Sequence, residues 1–496
     1  MTIQPHSAAA TDQARPSSLA VSLAVACCLI AALVYFYIPQ SMADPDIWWH
    51  LRDAQLQLST HSFLTHDLFS YTAAGSPWMD HEWLSELPFY AAFHLFGNSG
   101  IYFVTLLTAE TIFLGLFYLI YLQSASVLSS LLTTVLGVLI STVSFGPRTL
   151  LFGWVLLVIE LIILAHATRR KALIWTLPFL FAIWVNTHGS WLIGIILFAL
   201  FVIASAINIS AGSIDNPAAT REDIKRLILC WTASVAALFV NPYGWRLVLY
   251  PFDLAFRQKL NIANVDEWKT LDFHSPRGRI LFVCLLLLFF FQLLRNRKWT
   301  LFELALAAMG LYSAFTYSRF LFLAAILFMP SLAKSFATRT AAQRRSLSPL
   351  VAGALLFLVV CAVVGKLKAP NQITTNTDTR YPNQALPFLN NFHPDGNVFN
   401  EYTWGGFLIW HEHQIPVFMD SRVDIFEYNG TFKDYLDIAH LSNSIALLNK
   451  HQIKYVLFPK DAQLITLLQA THDWKVDYQD DTTILLERIN PQKAAN

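Results

Sequence analysis

Charge is what this chain has least of: only 14% of its 496 residues are Asp, Glu, Lys or Arg, and the formal net charge is +1. Without a basic excess a polyanion has little to hold, so no nucleic-acid partner is expected. Cysteine is scarce too. All five, Cys27, Cys28, Cys230, Cys284 and Cys361, fall inside apolar runs, so the exposed regions are expected to lack disulfides. The histidines of the first polar region, His50, His61, His66, His81 and His94, do not have zinc-site spacing. No repeat of the first half recurs in the second, which counts against a carrier built from paired repeats.

Apolar residues fill the space that charge leaves, at 55% of the chain and a mean hydropathy of +0.46. Crossing about 30 Å of hydrocarbon at about 1.5 Å per residue takes roughly 20 apolar residues. Eleven stretches answer to that length: 19–38, 100–122, 127–145, 149–167, 172–186, 189–210, 226–241, 279–294, 299–316, 319–335 and 349–366, the fifth and seventh being short. Basic residues collect in alternate gaps, among them Arg15, Arg169 to Lys171, Arg221 to Arg226, Arg295 to Lys298 and Lys334 to Arg345. The positive-inside rule makes those gaps cytoplasmic. The N-terminal tail, 1–18, is then inside and the C-terminus outside. The first run is too long for a signal-peptide core, so an uncleaved anchor is expected. The expected fold is therefore a polytopic α-helical membrane protein, its membrane domain covering 19–367.

Two polar regions are long enough to carry chemistry, and this topology puts both on the periplasmic face. In the loop 39–99, Asp44 can cap a helix, Pro45 suits its first turn, and Ile47, Leu51, Ala54 and Leu58 recur at helical spacing. That pattern predicts an amphipathic helix on the membrane, with Trp48, Trp49, Trp78 and Trp83 as interfacial anchors. Residues 368–496 carry strand-like runs at 397–402, 415–420, 453–458, 474–478 and 482–488 with helical patterns between them. They predict a small soluble α/β domain. Asp420, Arg422 and Asp424 read as a structural ion-pair row.

The run DPDIWWHLRDAQLQLSTHSFLTHDLFSYTAAGSPWMDHEWLSELPF resembles the first outer loop of bacterial glycosyltransferases of the GT-C superfamily, the protein mannosyltransferase and aminoarabinose transferase type. SFGPRTLLFGW, NTHGSWLIG, NPYGWRLVLYPF, Glu267-Trp268 and YSRFLFL are similar to later segments of the same group, so the resemblance spans most of the membrane domain. WGG and MDSR in the C-terminal region resemble it as well. The resemblance implies transfer of a sugar from a polyprenyl-phosphate donor to a glycan, lipid or protein acceptor on the outer face, with a loop carboxylate as base.

Glycosyl transfer needs a carboxylate to take the acceptor proton and positive charge to hold the departing phosphate. Asp44, Asp46, Asp80 and Glu82 are the candidate catalytic carboxylates, with Asp44 as the base. Asp44, Asp46 and Glu82 also suggest ligands for a divalent cation, magnesium or manganese. Arg148, His188 and Arg319, at outer turns where basic residues are disfavoured, are the candidate donor-phosphate partners, with Arg246 behind them. Helix capping by Asp44 and structural pairing by the arginines stand as the plain alternatives. Glu110 and Glu160, each near the middle of a span, keep a multi-pass transporter or lipid flippase as the second function.

Overall fold

The computed structural model describes residues 16–38, 44–167, 169–337, 353, 357 and 380–489. The eleventh apolar stretch, 349–366, lies outside the described residues but for Gly353 and Phe357, and so does Cys361. In chain order the helices up to residue 337 are α1 (Pro16–Tyr37), α2 (Asp46–Thr60), α3 (Trp83–Phe96), α4 (Asn98–Ser124), α5 (Val127–Ser141), α6 (Leu150–His166), α7 (Leu177–Trp184), α8 (Trp191–Ala206), α9 (Arg221–Ala237), α10 (Trp245–Arg257), α11 (Lys259–Asn264), α12 (Pro276–Arg295), α13 (Leu301–Thr316) and α14 (Leu321–Phe336). A two-stranded hairpin, β1 (Ile209–Ala211) and β2 (Ile214–Asn216), joins α8 to α9. Caps fix several starts. Ser126, Thr220 and Ser275 each accept a backbone N–H at the start of α5, α9 and α12, and Thr300 with Glu303 forms a capping box at α13.

Five helices are long and apolar enough to cross a membrane: Leu19–Tyr37, Asn98–Ser124, Val127–Ser144, Pro276–Arg295 and Ser318–Phe336. Leu150–His166, Lys171–Trp184, Trp191–Ala206 and Leu301–Thr316 are apolar but shorter. The expected span at 226–241 falls on α9, which opens with Arg221, Glu222, Asp223, Lys225 and Arg226 and is not among these apolar helices. A polytopic membrane fold follows, whereas a count of eleven does not follow from the described helices. Phe103, Leu132, Phe179, Phe282, Phe289 and Leu293 stand exposed on the flanks of the bundle, the kind of apolar surface a bilayer covers.

A second apolar core lies beyond the bundle, and both polar regions build it. The C-terminal sheet has the order β3 (Asn397–Asn400), β4 (Ile453–Pro459), β6 (Thr483–Arg488), β5 (Trp474–Gln479), with β3 parallel to β4 and the other pairs antiparallel. Ile47, Trp48 and Leu51 of α2 pack in one cluster with Phe407, Leu408, Val417 and Phe418. The backbone of the loop continues the contact, since Tyr71 N–H donates to Val417 O at 3.1 Å and Val417 N–H to Phe69 O at 3.2 Å.

Two expectations change here. Trp48, Trp49 and Trp78 are not membrane anchors but core residues, 4%, 5% and 4% exposed, because the C-terminal region covers the apolar face of α2. Residues 415–420 make no strand, because Val417 pairs only locally with the loop, as an isolated bridge to Ser70. The glycines of WGG explain the close fit. A Cβ on Gly405 would lie 2.5 Å from Asp420 Cα, and one on Gly406 would lie 2.6 Å from Pro45 O.

Candidate active site

Between the bundle and this outer body lies a cavity of about 1110 Å³. Its walls come from distant parts of the chain: Asp44 and Asp46 at the start of α2, Glu82 before α3, Arg148 between α5 and α6, His188 between α7 and α8, Glu267 and Trp268 after α11, Arg319 before α14, and Ser421 to Asp424 from the C-terminal region. Of the residues singled out by sequence, Asp44, Asp46, Glu82, Arg148, His188 and Arg319 meet here. Asp80 does not line the cavity. Arg246 is exposed and also stands apart. Tyr250, Arg277, Arg380, Ser421 and Asp424 line the cavity without having been singled out for chemistry. NPYGWRLVLYPF and MDSR held the signal for Tyr250 and Ser421.

The first carboxylate is bracketed by positive charge. Asp44 Oδ1 accepts the Asp46 N–H at 3.0 Å, and its Oδ2 takes Arg148 Nε, while Arg148 Nη1 pairs with Glu267. A carboxylate has about four lone-pair directions, so these contacts leave room for an acceptor hydroxyl. Burial works against the Arg148 charge, but Asp44, Glu267 and Asp46 outweigh it and hold the guanidinium above its usual range. Asp46 accepts from Trp49 Nε1 at 3.3 Å. Burial, with the Asp44 charge adding to it, pushes the Asp46 carboxyl up to about 7.

Glu82 is ringed by imidazoles. Its Oε1 lies 3.2 Å from His188 Nε2 and 3.4 Å from His81 Nε2, its Oε2 lies 3.5 Å from His50 Nε2, and Thr149 Oγ1 donates to Oε2 at 2.6 Å. Burial opposes the Glu82 charge, but the histidines outweigh it and hold the carboxyl below its usual range. Burial pulls His50 down to about 3 and His188 down to about 4, whereas at His81 Glu82 overcomes burial and lifts the ring to about 9. At neutral pH the cation beside Glu82 is therefore His81. His188 Nδ1 accepts the Ser190 N–H at 2.9 Å, which leaves its proton on Nε2, toward Glu82.

Arg319 sits over Trp268, its Cζ 4.3 Å from the ring centroid, and no carboxylate pairs with it among the described residues. That makes it the cation most available to an incoming phosphate.

Asp44, Asp46 and Glu82 do not bring their oxygens together as one group of cation ligands among the described residues: Asp44 pairs with Arg148, Asp46 takes Trp49, and Glu82 faces three rings and Thr149. The carboxylates whose oxygens converge are Asp53, Asp80 and Glu86.

A helical bundle thus lies against an outer body built from the loop after α1 and a small α/β unit, with a charged cavity between them. Among solved structures the chain is similar to the oligosaccharyltransferase of Archaeoglobus fulgidus tethered to an acceptor peptide, with a TM-score of 0.54 and 12% identity over 95% of this chain and 74% of that one. The apo form of that enzyme gives a TM-score of 0.52 and 11% identity over 98% and 76%. ArnT from Cupriavidus metallidurans bound to undecaprenyl phosphate gives 0.53 and 14% over 95% and 98%. At such identities the likeness establishes the fold. No family model and no curated protein sequence matches the chain.

Proposed function

We propose that this protein is a membrane glycosyltransferase of the GT-C type. It moves a sugar from a polyprenyl-phosphate donor to an acceptor on the outer face of the cytoplasmic membrane. The observation that carries the reading is a cavity in which a carboxylate, Asp44, and the Arg319 guanidinium, paired with no carboxylate among the described residues, face the same space. The acceptor hydroxyl attacks the anomeric carbon and gives its proton to Asp44. The bond from that carbon to the phosphate oxygen breaks, and the phosphate leaves on its lipid with its charge held by Arg319 and Arg148. His81 balances Glu82, so the histidine side of the cavity adds no net negative charge to repel the donor. A solved relative in fold is bound to undecaprenyl phosphate, which supports a lipid-linked donor. The alternate placement of basic gaps supports an inside N-terminus and a periplasmic C-terminal region. A reporter fused after Asn496 that works only when exported is expected to be active.

Purified protein given radiolabelled polyprenyl-phosphate sugars tests the reaction directly. Asp44→Asn keeps the helix-start acceptor, because Asn accepts a backbone N–H as Asp does. Arg148 keeps Glu267, so the fold is expected to survive. Turnover is expected to fall by about 10² to 10⁴, the usual contribution of a general base. Wild-type turnover in Asp44→Asn would return Asp44 to the role of a cap.

A further inference from the structure

We propose that Asp53, Asp80 and Glu86 form a binding site for one hard divalent cation, set behind the cavity wall and independent of the reaction proposed above. Asp53 projects from α2, Asp80 precedes α3, and Glu86 lies in the first turn of α3. One oxygen from each lies within 4.8 Å of the others. Ligands on opposite sides of a calcium ion at about 2.3 to 2.6 Å are separated by about that much. None of the three lines the cavity.

Convergence of carboxylates alone does not make a site, but the missing partners point to a ligand. Asp53 is fully buried, and neither of its oxygens has a hydrogen-bond donor. Glu86 Oε2, also fully buried, takes no donor from outside the group; within it, the Glu86 and Asp80 carboxyls share a hydrogen bond with each other. The remaining oxygens are held from outside the group: Glu86 Oε1 lies 2.7 Å from His50 Nδ1, Asp80 Oδ1 accepts the Glu82 N–H at 3.2 Å, and Asp80 Oδ2 takes the Gln57 amide. No Lys or Arg pairs with any of the three among the described residues. Arg422, whose charge acts on Asp53, pairs through Nη2 with Asp67 and Asp420 at 2.7 Å each and makes no hydrogen bond to Asp53, its Nη1 having no acceptor among the described residues.

Buried carboxylates without partners are strongly unfavourable. A divalent cation supplies the charge and the partners together. Carboxylate oxygens select calcium, magnesium or manganese over softer metals, and turning the Gln57 amide would present a further oxygen to the same point. The ion would tie α2 to α3. Through Glu86 it would also fix the His50 ring that faces Glu82.

The test reads cation binding on the full-length protein in detergent, so failure of the glycosyl-transfer reading leaves it intact. Metal content after gel filtration, and thermal unfolding of chelator-treated protein on adding calcium, magnesium or manganese, are measured for wild type, Asp53→Asn and Glu86→Gln. Wild type is expected to hold one ion per chain and to gain in Tm when the ion returns; the ion giving the largest gain at equal concentration is the occupant. Each variant is expected to bind about tenfold more weakly or worse. Should Asp53→Asn fail to fold, the wild-type titration and Glu86→Gln decide. If wild type holds no ion and none of the three cations moves its Tm, the carboxyls carry protons instead and the proposal is overturned.

Discussion

Asp46 titrates at the neutral point because burial and the Asp44 charge both favour its protonated form, lifting it from 3.8 to about 7. A carboxyl that binds its proton more tightly in the folded chain favours folding at low pH. That contribution is lost as pH rises from about 4 to about 7, the sign opposite to that of a salt-bridged carboxylate. Asp46→Asn removes it, since the amide does not ionise. Unfolding followed at pH 5 and pH 8 is expected to show wild type losing more Tm across the interval than Asp46→Asn; equal losses would mean the Asp46 carboxyl is not raised. Sequence made Asp44, Asp46 and Glu82 legible because carboxylates after an anchor span are chemically conspicuous. It could not show that Asp80 lies off the cavity, where its carboxylate takes the amide of Gln57, a residue of α2.

Among the elements, α2 shows what periodicity can and cannot say. Its apolar face was readable at Ile47, Leu51 and Ala54, all buried, though Leu58 of the same pattern is exposed, and its partner is the helix Gly405–His411 rather than lipid. Apolar spacing records that a face is covered and not by what. Gly406 is where the two meet. A methyl there would lie 2.6 Å from Pro45 O and 3.2 Å from Trp49 Cδ1, so either that helix or the start of α2 must shift. Pro45 stands between Asp44 and Asp46. Gly406→Ala is therefore expected to lower both Tm and turnover, and an unchanged Tm would show that the two helices separate freely. Within the bundle, Glu160 of α6 is fully buried with both oxygens unpartnered among the described residues, yet it does not line the cavity. Glu160→Gln is expected to leave sugar transfer largely intact. Complete loss of transfer in a folded variant would favour the carrier reading.

For the molecule as a whole, the sequence assigned the loop 39–99 to the membrane domain, 19–367, and set 368–496 apart as a second unit. The regions 39–99 and 368–496 read as separate because more than 200 residues lie between them, whereas their described parts, 44–99 and 380–489, share one core. Long-range pairing of this kind leaves no local signature. Arg422 is its polar counterpart: the side chain is buried, grips Asp67 of the loop and Asp420 of its own segment at 2.7 Å each, and packs between the rings of Phe69 and Trp78. Asp424, read with them as one row, turns instead to Tyr250 OH at 3.0 Å on the cavity side. Removing one partner of a buried ion pair strands the others, at a cost of about 3 to 5 kcal/mol, a large part of the roughly 5 to 15 kcal/mol that holds a typical domain. Arg422→Met is thus expected to unfold the outer body at markedly lower temperature while the bundle persists. Combining it with Asp67→Asn and Asp420→Asn removes the stranded charges and is expected to recover most of the loss. Protease sensitivity of residues 380–489 followed against temperature separates the cases. If Arg422→Met alone is as resistant as wild type, the pair contributes nothing to joining the loop to the C-terminal region, and the shared apolar core holds them by itself.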